Sequence, residues 1–123
     1  MLADLSDLRL RQAAECGIAR TVNPGRDDLV AAVKDWTGGG VRIGVEAIGI
    51  SEVIAQVVEC TARYGEVILL GSPRARATFD ITPMLLRIHL EAIRMIGALE
   101  WRWPQHETER SRDLDANYRQ IAQ

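Results

Sequence analysis

The sequence is short of almost everything that marks a metal, nucleic-acid or membrane protein. Lys34 is the only lysine among fifteen basic side chains, and these are scattered among seventeen acidic ones for a net charge of -2. Without a cluster of positive charge, nucleic acid is excluded as the main partner. No apolar run approaches the roughly 18 residues that a membrane helix needs. The start, Met1-Leu2-Ala3-Asp4, carries neither a basic stretch nor a long apolar one, so no secretory signal is expected and the chain reads as cytoplasmic. The two cysteines, Cys16 and Cys60, form no C-x-x-C and read as small buried thiols in a reducing compartment. His89, expected on a helix face, and His106, expected in a loop, stand in no ligand cluster, so a four-ligand zinc site is not expected. No second carboxylate or histidine is placed for acid–base work.

What remains is an ordinary globular composition. The 123 residues are 47% hydrophobic and 26% charged, which suits one domain with one core. Helical spacing of Leu5, Leu8, Leu10, Ala13 and Ala14 predicts a helix from Ser6 to Gly17. Ile18 to Val22 reads as a strand closed by Asn23-Pro24-Gly25, and Asp27 to Trp36 as a helix with two acids in its first turn. After Gly38-Gly39-Gly40 comes a strand, Val41 to Ile48. A helix from Glu52 to Arg63 follows, capped by Ser51. Glu66 to Leu70 is nearly all apolar, as a strand covered on both faces is. Thr82-Pro83 opens a helix to about His89. Ala92 to Leu99 is a further strand, Trp101-Arg102-Trp103-Pro104 a loop, and Glu107 to Gln123 a polar helix. Strands alternating with helices predict an α/β fold with a parallel sheet and right-handed crossovers.

These segments together resemble a known family. Asp4-Leu5-Ser6-x-x-Arg9-Leu10-x-x-Ala13 resembles the stretch after the second strand of zinc-type alcohol dehydrogenases, in the medium-chain dehydrogenase/reductase superfamily. Thr21-Val22-Asn23-Pro24 resembles the third strand, Gly40-x-x-x-Gly44-Val45-Glu46-Ala47-Ile48-Gly49 the fourth, Tyr64 to Gly71 the fifth and Ile96-Gly97-Ala98 the sixth. No one piece is specific, but five in the right order are. Gly71-Ser72-Pro73 and Gly97 to Trp101 further resemble a branch with bacteriochlorophyllide-type dehydrogenases. The resemblance implies residues 1–123 as a single partial NAD(P)-binding domain. That is a truncated Rossmann-like three-layer fold whose parallel sheet lacks the first two strands.

There are departures. Arg42 stands where an acid is usual, and Gly44 replaces a branched residue, leaving a gap. The G-x-G-x-x-G turn that holds a pyrophosphate is missing: Gly38-Gly39-Gly40 precedes a strand instead of following one. The zinc-bearing catalytic domain is missing too.

By resemblance Asp4 is the acid that accepts the adenosine ribose hydroxyls, a geometry favouring NAD, and Arg9 lies near the same ribose. Asp4 also reads as an exposed acid near a chain end or helix cap, and Arg9 as a solvated helix arginine. The strand ends Ala47-Ile48-Gly49, Leu70-Gly71-Ser72 and Ala98-Leu99-Glu100 would line the cofactor's walls, although glycine after a strand is also plain turn chemistry. Glu46, flanked by apolar residues, needs a backbone partner or a place at the rim. The chain alone is expected not to be active and not to bind NADH at millimolar concentration. The other reading is a non-catalytic module that oligomerises or uses Trp101 and Trp103 as anchors, when they do not simply pack the last helix. With two strands missing, Thr21-Val22 has no neighbour and the fourth strand has a bare edge, which predicts a homodimer through that edge or by exchange of the N-terminal segment.

Overall fold

The computed structural model describes residues 1–98 and Arg119. Among the described residues nine elements alternate between strand and helix. They are β1 (Leu2–Ala3), α1 (Asp7–Glu15), β2 (Thr21–Val22), α2 (Leu29–Thr37), β3 (Val41–Glu46), α3 (Ser51–Cys60), β4 (Thr61–Leu69), α4 (Thr82–Glu91) and β5 (Arg94–Gly97). All strand pairs are parallel, in two sheets ordered β1-β2 and β3-β4-β5. Leu99, Glu100, the two tryptophans of the Trp101-Trp103 loop, His106 and the polar helix from Glu107 lie outside the described residues. No helix among the described residues is long and apolar enough to cross a membrane.

The strand Thr21–Val22 is not without a neighbour. It pairs with Leu2–Ala3, too short a run to be read as a strand from sequence, in the register Leu2↔Thr21 and Ala3↔Val22. Around it residues 1–27 form a unit held by polar side chains. Ser6 caps α1, its oxygen accepting from the Arg9 amide at 3.5 Å. Asn23, buried, donates to the Leu5 carbonyl (3.1 Å) and Asp7 Oδ1 (2.8 Å) and accepts from the Gly25 amide (2.9 Å). Asp7 also pairs with Arg26 at 2.7 Å. Only Leu10 and Ala13 of α1 are buried, while Leu5 and Leu8 are exposed despite their helical spacing.

The larger sheet carries the apolar core. Val58 of α3, Val67 of β4 and Ile93 are buried together, with Val57, Leu69, Met84 and Ile88 packed against them. Asp27 and Asp28 precede α2 instead of lying in its first turn, and Asp28 caps it by accepting from the Ala31 amide. Pro83 stands in the first turn of α4, as expected. Gly40 is required by close approach: a Cβ there would lie 2.7 Å from the Ala62 amide nitrogen. That accounts for the last of the three glycines with no ligand. Gly44 leaves no gap, because Val57 Cγ1 stands 2.6 Å from where its Cβ would be.

The boundaries between α3 and β4 differ most from the sequence reading. Helix α3 starts at Ser51 after an Ile50 cap with no side-chain bond, so Ser51 is not the cap. It ends at Cys60 rather than Arg63. Residues 62–65 bulge between the pairs Val41↔Thr61 and Ile43↔Glu66, with Tyr64 in the left-handed region at φ 62°. The C-terminal carbonyls of α3 therefore lack a glycine turn to satisfy them. Arg87 of α4 does so instead, donating to the carbonyls of Val58 (3.2 Å), Glu59 (3.4 Å) and Thr61 (2.9 Å). Burial pushes the Cys60 thiol upward in pKa, as a structural cysteine requires, whereas Cys16 is exposed rather than buried.

Candidate functional site

In open parallel sheets, ligands bind outside the carboxyl ends of the strands. Three strands of the larger sheet end here on a shared rim, organised by Glu46. This side chain is only 1% exposed. Its Oε1 accepts from the amides of Ile48 (2.7 Å) and Gly49 (2.8 Å), which folds the chain sharply off β3. Its backbone carbonyl accepts from the amides of Leu70 (2.8 Å) and Gly71 (2.9 Å), which ties in the end of β4. The Ala98 amide then donates to the Leu69 carbonyl at 3.0 Å, adding the end of β5. Glu46 thus has the backbone partners its burial demands. Oε2 is buried without a partner among the described residues.

The sequence candidates Ile48, Gly49, Leu70, Gly71, Ser72 and Ala98 are all brought to this rim. The glycines, however, answer to the protein's own packing. A Cβ on Gly49 would lie 2.0 Å from the Ser72 carbonyl oxygen, and one on Gly71 would lie 2.3 Å from the Gly49 nitrogen. Gly49 also has φ +81°, which other residues adopt at a cost. Two strand ends cross backbone to backbone, and only glycine fits at the crossing.

Arg74 braces the crossing from the following loop. Its amide donates to the Gly49 carbonyl (3.3 Å) and its Nη2 to the Ile48 carbonyl (3.2 Å). Arg74 stands in the loop between β4 and α4. The only signal was an arginine just after a Gly-Ser-Pro strand end.

Asp4 and Arg9 form a second cluster, at the carboxyl end of β1. Asp4 Oδ1 accepts from the Ser6 amide at 2.7 Å, and Oδ2 lies 2.9 Å from Arg9 Nε. The Ser6 amide chiefly holds the Asp4 carboxyl below its ordinary value; burial opposes it and Arg9 adds to it. The carboxylate is thus kept ionised at the end of a parallel strand, where an acid accepts ribose hydroxyls. No hydrogen bond or ion pair among the described residues joins this pair to the Glu46 rim. Glu100 lies outside the described residues, and no three His, Cys, Asp or Glu residues gather as metal ligands among those described.

Comparison with known proteins agrees with this geometry. The family model for zinc-binding dehydrogenases matches residues 1–112. The L-threonine 3-dehydrogenase of Chromobacterium violaceum is 30% identical over 88 residues, covering 71% of this chain and 26% of that protein. Benzyl alcohol dehydrogenase from Acinetobacter calcoaceticus superposes with a TM-score of 0.73 at 26% identity, over 97% of this chain and 32% of that one. A zinc-binding dehydrogenase of Sinorhizobium meliloti, solved bound to NADP, gives 0.68 at 27% identity, over 79% of this chain and 29% of that one. The chain thus spans about a quarter of the length of the curated relatives it matches. With matching sequence over most of its length, and the strand-end rim in place, this chain belongs to the zinc-binding dehydrogenase family, within the medium-chain dehydrogenase/reductase superfamily, as the later part of its Rossmann domain.

Proposed function

We propose that these residues hold the adenosine end of an NAD(P) cofactor in a dehydrogenase whose remaining parts are not among these 123 residues. The observation that carries this is Asp4, ionised and oriented by the Ser6 amide and Arg9 at the end of a parallel strand. Asp4 would accept from the ribose hydroxyls and Arg9 would hold it in place. The crossing of residues 48–49 over 70–72, with Ala98 beside it, would form the wall against which the cofactor lies. The cofactor, when bound, supplies hydride-transfer chemistry, and the protein supplies position and electrostatics. The NADP in the Sinorhizobium meliloti structure supports a nicotinamide dinucleotide as the ligand class.

The fit is one-sided. Orientation of a dinucleotide comes largely from a pyrophosphate seated on a glycine turn at a helix N-terminus. Gly38-Gly39-Gly40 cannot serve, because it leads into β3 and Gly40 is pressed against Ala62. The chain is therefore expected to be inactive alone and to bind NADH no better than weakly. Calorimetric titration with NADH checks this: no saturable binding up to millimolar concentration and no alcohol oxidation are expected. Micromolar affinity would mean that a complete cofactor site is present.

A further inference from the structure

We infer that Arg74 is a further cofactor-contacting residue, whose guanidinium binds a phosphate of the dinucleotide at the end of β3. The inference rests on the proposed reading of the rim as the cofactor's wall. Four observations lead there.

First, Arg74 is fixed at the rim by both its backbone and its side chain. Its amide donates to the Gly49 carbonyl at 3.3 Å and its Nη2 to the Ile48 carbonyl at 3.2 Å. The side chain thus reaches from the loop after β4 to the end of β3. An exposed arginine ordinarily samples many rotamers, and losing them opposes the capture of an anion. Here much of that freedom is already gone before a ligand arrives.

Second, the guanidinium is largely uncommitted. An arginine carries five N–H donors. Arg74 gives one to Ile48, and the rest have no acceptor among the described residues. Asp4, Asp7, Glu59 and Glu66 form ion pairs with Arg9, Arg26, Arg87 and Arg94, whereas Arg74 has no acidic partner among the described residues. A planar fork with free donors on an exposed side chain matches two phosphate oxygens at once.

Third, the turn that Arg74 grips is polarised toward it. The peptide group joining Ile48 to Gly49 gives its N–H to Glu46 Oε1 and its carbonyl to Arg74 Nη2. A buried carboxylate on one side and a guanidinium on the other strengthen the two bonds in series. Glu46 therefore steadies Arg74 through the backbone, without an ion pair that would use up its outer donors.

Fourth, the sheet order puts Arg74 beside the place of the diphosphate. β3 resembles the fourth strand of the doubly wound order, and its neighbour there is the first strand, whose turn seats the pyrophosphate. Adjacent strands lie about 4.8 Å apart, a distance an arginine side chain spans. A glycine turn offers the phosphates backbone amides and no full charge. The rim residues Ile48, Gly49, Leu70, Gly71, Ser72 and Ala98 offer none either. Arg74 supplies the charge that both lack.

Nuclear magnetic resonance of the full chain, titrated with inorganic pyrophosphate against sodium chloride of equal ionic strength, tests this. The Arg74 Nε–H signal and the Ile48 and Gly49 amides should move progressively up to tens of millimolar. The Nε–H signals of Arg42 and Arg76, which are exposed too, should move less. Arg74→Ala should weaken the response of the Gly49 amide about tenfold, as loss of one charge-assisted contact does. Arg74→Lys keeps the charge without the fork and should weaken it less, which also provides a result if Arg74→Ala unsettles the crossing. Arg76→Ala should leave it unchanged. A brace with no anion to bind would lower the melting temperature on substitution and show no pyrophosphate response. No movement beyond the salt control would overturn the inference, as would equal weakening by Arg74→Ala and Arg76→Ala. Pyrophosphate has no ribose, so that failure leaves the Asp4 reading standing. The Asp4 reading fails separately, if adenosine, which has no phosphate, moves neither the Asp4 nor the Arg9 amide.

Discussion

Residues 1–27 and residues 41–98 are held together by different physics. The first unit rests on polar side chains: Asp4 on Ser6 and Arg9, Asp7 on Asn23 and Arg26, and Asn23 on three neighbours. Its strands are two residues each. The second rests on Val58, Val67 and Ile93, and on backbone crossings where no side chain fits. On the proposed reading each presents a part of the cofactor region, the ribose acid on one and the wall on the other. The polar unit should therefore respond to pH and to single hydrogen-bond deletions, whereas the apolar unit should respond to volume.

The largest break should come at the crossing. Gly49→Ala forces a Cβ onto the Ser72 carbonyl and strains a positive φ, at a cost of about 3 kcal/mol or more in thermal or denaturant unfolding. Val67→Ala empties the centre of the core and should cost about 2–3 kcal/mol by the same measurement. Asn23→Ala removes three hydrogen bonds, at about 1–3 kcal/mol. Its signature is local: hydrogen exchange should quicken at the amides of Leu2 and Asp4 and stay slow in β4.

The smallest effect is acid sensitivity. The Asp4 and Asp7 carboxyls are both held below the ordinary value of 3.8, Asp4 chiefly by the Ser6 amide and Asp7 chiefly by Arg26. A carboxyl lowered on folding stabilises fully above its unfolded value, and that contribution disappears as pH falls through its folded value. Amide spectra recorded from pH 5 downward should show residues 2–27 loosening below about 3.8 while the β4 resonances hold. Loss of both together would erase the distinction between the units.

The sequence made the order of elements legible because strand and helix periods differ and most changes carry a glycine, proline or capping acid. The rim candidates were legible for the same reason, since they follow strands. Three features were not. Leu2–Ala3 is too short to show a period, and it becomes a strand only because Thr21–Val22 offers it a ladder. The end of α3 at Cys60 depends on Arg87, from the next helix, satisfying its carbonyls, which no local signal announces. Glu46 looked like a lone acid in an apolar strand, and its role depends on the backbone turn it folds around itself. Exposure of Cys16 was misread because a small thiol near a helix end has no partner in sequence to place it.

The central claim is that the ribose acid and the strand-end wall serve one cofactor once a glycine turn is supplied. Grafting residues 1–98 into the corresponding place in a full-length relative, and titrating NADH into the chimera, tests it most directly. The account predicts saturable micromolar binding that falls at least tenfold on Asp4→Ala. A chimera that melts like its parent and binds no NADH, or binds it equally well without Asp4, would contradict it.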